Sequence, residues 1–79
     1  MSIQNNKRMK DSRNKFLSAN VKAERNRKGY TQAELAEMVN VSESTISLIE
    51  RGIQTPSVFL VNDIAVALNI DISELLRGI

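Results

Sequence analysis

The chain has 79 residues, of which 42% are hydrophobic and 4% aromatic, and its formal net charge is +2. This composition predicts one small domain with an aliphatic core. Because the sequence contains no cysteine and no histidine, it predicts no disulfide, no metal site, no cofactor and no enzymatic activity. No secretory leader or membrane span is evident, so we expect a cytoplasmic protein.

The charge is distributed unevenly along the chain. Residues 1–30 contain nine basic and two acidic residues, a net charge of +7, whereas residues 31–79 contain two basic and seven acidic residues, a net charge of −5. Residues 1–13 are polar and charged without periodicity, which predicts a flexible basic arm, either a solvated tail or a segment that contacts phosphates. Residues 14–79 are predicted to form the folded domain.

Five helices are predicted in chain order, which gives an all-α fold. Helix 1 covers about 14–28 and ends at Gly29, helix 2 covers about 32–39, and helix 3 covers about 43–51. Helix 4 is expected to start at Pro56 with Thr55 as its cap and to reach residue 68. A fifth helix is predicted to follow Asp71, which heads an Asp-x-x-Glu capping pattern.

Residues 32–51 have the pattern of two short helices that meet at a sharp angle. The first helix buries Leu35 and Val39, which are four residues apart, and the second buries Ile46 and Ile49, which are three apart. Asn40 lies between them and tolerates the left-handed conformation of a tight turn. The further signals are the small residue Ala36 at the expected helix crossing, the capping box Thr31 with Glu34, and the cap Ser42.

This pattern resembles the phage repressor and Cro type of helix-turn-helix family over about residues 17–76. The matching stretches are 21–25 before Gly29, 31–37, 41–52, Pro56-Ser57, 65–68 and 71–76. The chain departs from the family at Asn40, where glycine is usual, and at Glu24, where an apolar residue is frequent. The resemblance implies a lambda-repressor-like DNA-binding domain and a transcriptional regulator, most simply a repressor, of bacterial, phage or mobile-element origin.

The resemblance also assigns roles to residues of the motif. It implies that helix 3 enters the major groove of double-stranded DNA and reads bases with four outward residues: Glu43, Ser44, Ser47 and Leu48. Gln32 and Arg51 would contact phosphates. Arg25 and Glu50 match a family ion pair that fixes the helix orientation. The alternative for the exposed positions is an ordinary solvated helix face.

Apolar residues in excess of the core predict a homodimer on an operator with an inverted repeat. Phe59 and Val66 are seven residues apart on helix 4, and the C-terminal residues Leu75, Leu76 and Ile79 add to them. The alternative is that Phe59 packs on Phe16 or Leu17 of helix 1.

A different class of function remains open. A helix-turn-helix module can also serve protein interaction, as an antitoxin or an adaptor for the transcription machinery. Such a module would present a blocked recognition face, and the sequence between Glu43 and Arg51 shows no sign of one.

Overall fold

The computed structural model describes residues 12–79, which form an all-α domain as predicted. Within this range the α-helices are α1 (Ser12–Lys28), α2 (Gln32–Met38), α3 (Glu43–Glu50) and α4 (Val58–Leu68). Residues 1–11 of the predicted arm lie outside the described residues. Ser12 and Arg13, which were predicted to belong to the arm, are the first residues of α1.

The predicted fifth helix is wrong, since the chain forms only a single 3₁₀ turn at Ile72–Glu74. Asp71 does cap this turn, but its carboxylate accepts from the backbone N–H of Ser73 at 2.9 Å, two residues on. This hydrogen bond lowers the pKa of Asp71 below its ordinary value of 3.8. Leu75 follows the turn and is fully buried, which anchors the chain to the core before a second α-helical turn can form.

The caps of α2 and α3 agree with the prediction, but that of α4 does not. Thr31 and Glu34 form a reciprocal capping box, and Ser42 accepts from Thr45 N at 3.1 Å. At α4 the cap is Ser57, which accepts from Leu60 N at 3.1 Å, and not Thr55. Ser57 directly precedes the first helical residue, so its hydroxyl can accept a backbone N–H of the first turn, whereas Thr55 and Pro56 remain outside the helix.

All four α-helices end in the same backbone arrangement. The residue after each helix, or one further on, has a positive φ, and the following N–H bonds to a carbonyl five residues back, as in the Schellman motif. Gly29 and Gly52 end α1 and α3, as predicted. Asn40, with φ of 60°, ends α2 as predicted, and Asn69, with φ of 57°, ends α4.

The core is aliphatic and lies between all four helices. The motif residues predicted to be buried are buried, and α2 packs against α3 with Ala36 only 3% exposed. The apolar spacing of α4 predicts that Val58 is buried together with Val61 and Ile64, but Val58 is 68% exposed, because the first turn of this helix extends beyond the core. The buried apolar residues are Leu17, Val21, Leu35, Ala36, Val39, Ile46, Ile49, Val61, Ile64, Ala65, Leu68 and Leu75.

The C-terminal segment is fixed to α1 by polar contacts. Asn20 Nδ2 donates to the carbonyls of Leu75 and Arg77, both at 2.9 Å. Glu24, which the sequence marked as a departure from the family, is 4% exposed and forms ion pairs with Arg27 at 2.7 Å and Arg77 at 3.3 Å. At this position, where the family frequently has an apolar residue, the chain therefore has a buried carboxylate that is held by two ion pairs.

Candidate nucleic-acid interface

The turn between α2 and α3 sets the direction of α3. Asn40 N donates to Glu37 O at 3.3 Å, and Val41 N donates to Ala36 O at 3.0 Å, so the turn closes on the end of α2. Ile46 and Ile49 are 0% exposed and hold the inner face of α3 on the core. The opposite face of α3 is consequently directed away from the protein.

The four residues assigned to base reading lie on this outer face or at its edges. Glu43 and Ser44 are exposed at the start of the helix, and Ser47 and Leu48 are half-buried one turn later. Within residues 12–79, the side chains of Glu43 and Ser44 make no hydrogen bond to the protein. Their polar atoms are thus available to a partner that lies along α3.

Arg25 and Glu50 form the bidentate pair that the resemblance implied. Arg25 Nε donates to Glu50 Oε2 at 2.7 Å, and Arg25 Nη2 donates to Glu50 Oε1 at 3.0 Å. The side chains are 9% and 1% exposed. The hydrogen bonds from Arg25 to the Glu50 carboxylate raise the pKa of Arg25 above its ordinary value, against the opposing effect of burial. A third bond, from Arg25 Nη1 to Tyr30 O at 2.7 Å, extends the pair to the start of α2.

Gln32 joins this network, which the sequence did not indicate. Its Nε2 donates to Glu50 Oε1 at 3.1 Å, so the side chain assigned to a phosphate is held by the end of α3. An amide nitrogen carries two N–H groups, and the half-buried Gln32 retains one for a second acceptor. Arg51 is exposed at the end of α3.

The residues assigned to a dimer interface divide into two groups. Phe59 and Val66 are 78% and 70% exposed, and Leu76 and Ile79 are 41% and 50% exposed. Leu75 is 0% exposed and belongs to the core, so its assignment to an interface is wrong. The segment after α4 has no α-helical periodicity, so the sequence alone does not indicate which of its apolar residues are buried and which are exposed.

The alternative position for Phe59 is also wrong. The ring of Phe16 lies against Gly78, where an added Cβ would be 2.8 Å from Phe16 Cδ1. Because Phe59 is mostly exposed, it does not pack into α1. Its ring and Val66 form an apolar line on the outside of α4.

The ion pair between Glu24 and Arg27 had a signal that sequence reasoning missed. Glu24 and Arg27 are three residues apart, the spacing at which opposite charges pair on a helix. The second partner of Glu24 is Arg77, which is 53 residues away in the sequence and lies close to Glu24 only in the folded protein.

A family model for the helix-turn-helix matches residues 21–75 of the chain. The chain belongs to the helix-turn-helix family of transcriptional regulators. The HTH-type transcriptional regulator YazB of Bacillus subtilis (strain 168) is 42% identical over 55 residues, which cover 70% of this chain and 80% of YazB. The HTH-type transcriptional regulator SinR of Bacillus licheniformis is 36% identical over 63 residues, which cover 78% of this chain and 57% of SinR. The chain thus spans little more than half the length of SinR.

Solved structures show the same fold. The clp gene regulator ClgR from Corynebacterium glutamicum superposes with a TM-score of 0.80 and 31% identity, over 86% of this chain and 72% of ClgR. The restriction-modification controller protein C.AhdI from Aeromonas hydrophila gives a TM-score of 0.78 and 26% identity, over 81% of this chain and 93% of C.AhdI. This family consists of regulators and is not an enzyme family. None of the helices within residues 12–79 is long and apolar enough to cross a membrane.

Proposed function

We propose that this helix-turn-helix protein binds a specific double-stranded DNA sequence through α3 and represses transcription by occupying it. The observation that carries the proposal is the open outer face of α3, held on a rigid frame while its inner face is buried. Repression requires only occupancy, since a protein seated on a short operator excludes other proteins from it. The DNA-binding unit is residues 12–79, with its motif in 32–51, and it acts in the cytoplasm, where bacterial DNA lies.

The side chains on the outer face of α3 contact the edges of the DNA bases. The carboxylate of Glu43 accepts a hydrogen bond from the amino group of cytosine, and the hydroxyls of Ser44 and Ser47 donate or accept. Leu48 contacts the methyl group of thymine. The exposure of Glu43 and Ser44 supports this assignment, and the half-buried Ser47 and Leu48 lie one turn further along the same helix.

Gln32 and Arg51 contact the DNA backbone and so position the protein on the duplex. The second N–H of the Gln32 amide contacts a phosphate while the first remains on Glu50. Arg51 contacts another phosphate from the other end of the motif. The Glu50 carboxylate, which is neutralised by Arg25 at 2.7 Å, does not repel the DNA strand.

A homodimer places two recognition helices on one operator. The support for this assembly is the apolar line of Phe59 and Val66, both more than two-thirds exposed on the outside of α4. Exposed Leu76 and Ile79 extend the apolar surface. A two-fold axis presents two α3 helices to successive major grooves about 34 Å apart, which requires an operator with an inverted repeat.

The proposal is tested by selecting bound sequences from a pool of random DNA duplexes. We expect an inverted repeat to be enriched. If no duplex is enriched even at low ionic strength, the proposed function is wrong, and the rival role of a protein-interaction module gains support.

Variants at single positions then separate the roles of the residues. Glu43→Ala and Leu48→Ala should change the preferred bases at one position each, by about 1–3 kcal/mol of discrimination. Gln32→Ala should weaken binding to all duplexes alike, because a phosphate contact carries no sequence information. If all three variants selected the parent sequence with the parent affinity, these assignments would be wrong.

A further inference from the structure

The N-terminal half of α1 and the segment after α3 form the two walls of a groove of about 640 Å³ that the helix-turn-helix motif does not account for. Asn14 Nδ2 donates to Gly52 O at 2.9 Å and ties the two walls together. The residues that line the groove are Ser12, Asn14, Lys15, Ser18, Ala19, Lys22, Glu50, Arg51, Gly52, Ile53 and Thr55.

The charge inside this groove is positive. Lys15, Lys22 and Arg51 are exposed, and none of them forms an ion pair with another residue of the described range 12–79. The acidic residue among the lining residues, Glu50, has a side chain that is 1% exposed and is already paired with Arg25. Three uncompensated cations therefore face the same space.

The spacing of these cations suits a linear polyanion. Lys15 and Lys22 are seven residues apart, so they lie on one face of α1 and about 10.5 Å apart along its axis. That distance is about three nucleotides of one strand at 3.4 Å per nucleotide along the duplex. A single small anion would require the cations to converge on one point, and two lysines two helical turns apart do not converge.

The position of the groove connects it to the recognition helix. Arg51 is the C-cap that directly follows the last residue of α3, and it also lines the groove. A strand contacted by Arg51 can therefore continue along α1 past Lys22 and Lys15. Ile53, which is 60% exposed in the groove, offers an apolar surface to the sugars.

We propose that this groove holds the sugar–phosphate backbone of one DNA strand beside the bases read by α3, with Lys15 and Lys22 as phosphate contacts. The inference rests on the proposed function, since it requires that the protein bind duplex DNA. It extends the DNA-contacting surface from residues 32–51 to the first helix.

The test compares the parent protein with the double variant Lys15→Ala/Lys22→Ala on its selected duplex between 50 and 200 mM salt, concentrations at which phosphate contacts dominate the salt dependence. The slope of log affinity against log salt should become less negative by about 2, because each lost phosphate contact removes about 0.9. The affinity at low salt should fall at least about tenfold for every duplex, including unrelated sequences. Lys15→Arg/Lys22→Arg should retain the parent slope.

Lys28→Ala is the control for the single variants Lys15→Ala and Lys22→Ala, because each of the three removes one positive charge from α1 and Lys28 lies outside the groove. It should leave the slope unchanged. Circular dichroism should show parent helicity for all variants, since both groove lysines are exposed and alanine favours helix.

Two results would overturn the inference. One is a double variant that binds with the parent affinity and slope, and the other is a loss in Lys28→Ala equal to that of Lys15→Ala or Lys22→Ala. A parent protein that binds no duplex at 50 mM salt would instead overturn the proposed function.

Discussion

At the scale of single residues, the Glu50 carboxylate holds the motif together. It accepts three N–H groups, two from Arg25 of α1 and one from Gln32 of α2, while it is itself the last residue of α3. Removal of a carboxylate from water is costly, and several good hydrogen bonds are needed to offset that cost. Three helices therefore share one satisfied buried charge.

Replacement of Glu50 alone should be strongly destabilising. Glu50→Ala leaves Arg25 buried without its partner, so we expect the free energy of unfolding to fall by about 3–5 kcal/mol. The double variant Arg25→Met/Glu50→Leu should lose much less, because it leaves no uncompensated charge. Urea denaturation followed by circular dichroism measures both changes.

The control for this pair is Glu37→Ala, which removes an exposed carboxylate from α2. Its stability should stay within about 0.5 kcal/mol of the parent. A double variant as unstable as Glu50→Ala would show that the ion pair is a net source of stability here.

The sequence indicated the Arg25 and Glu50 pair only through the family resemblance. It did not indicate that Gln32 joins them, because the choice of hydrogen-bond partner for a long amide side chain depends on which helix ends meet in space. Glu24 illustrates the same limit. Its partner Arg27 is local, but its burial depends on the path of the chain beyond Leu75.

At the scale of elements, the helices end at residues that can adopt a left-handed backbone conformation. Two of the four left-handed helix ends are asparagine, at positions 40 and 69. Such a conformation costs an ordinary L-residue about 1–2 kcal/mol, and asparagine lowers this cost by local hydrogen bonding. The turn of the motif thus tolerates Asn40 where the family usually has glycine.

The free energy of unfolding of Asn40 variants should follow the cost of the left-handed conformation for the residue introduced. Asn40→Ala should lose about 1 kcal/mol of unfolding free energy, whereas Asn40→Gly should equal or exceed the parent. Thermal unfolding by circular dichroism measures the order. Asn62→Gly serves as the control, since Asn62 is exposed inside α4 and glycine there should destabilise by a few tenths of a kcal/mol or more. Equal stability of the alanine and glycine variants would contradict the explanation.

Most elements were predictable because their signals are local. Periodic apolar residues, the capping box at Thr31 and the glycines after α1 and α3 depend on near neighbours in the sequence. The start of α4 and the fifth helix were not predictable in this way. Either Thr55 or Ser57 can cap a helix next to Pro56, and burial of Leu75 is a tertiary contact.

At the scale of the whole molecule, the domain separates its charges and its exposed apolar residues. Lys15, Lys22 and Arg51, which form no ion pair within residues 12–79, share the groove beside α3. The two most exposed apolar side chains of α4, Phe59 and Val66, lie seven residues apart on one side of that helix. Each of these surfaces fits a different partner in the proposed complex.

Loss of the apolar line should abolish the dimer without unfolding the protein. Phe59→Ser/Val66→Ser should sediment as a monomer at tens of micromolar and should bind an inverted repeat without cooperativity, while its melting temperature stays near that of the parent. Sedimentation equilibrium with and without DNA measures the assembly.

Val58→Ser is the control for this prediction. Val58 is 68% exposed on the same helix but points about 100° away from Phe59, so this variant should remain dimeric. A parent protein that is monomeric both free and on DNA would rule out the dimer.

The side chains of Glu43 and Ser44 are exposed and make no hydrogen bond within residues 12–79, which has an evolutionary consequence. Exchange of these outward side chains for others disturbs neither the core nor the buried carboxylate. With base reading by these residues as proposed, a gene duplicate can acquire a new target sequence through a few codons while its scaffold keeps its thermodynamic stability. The appearance of new binding specificities in this fold is then limited by how often suitable mutations arise, and not by a loss of folding stability.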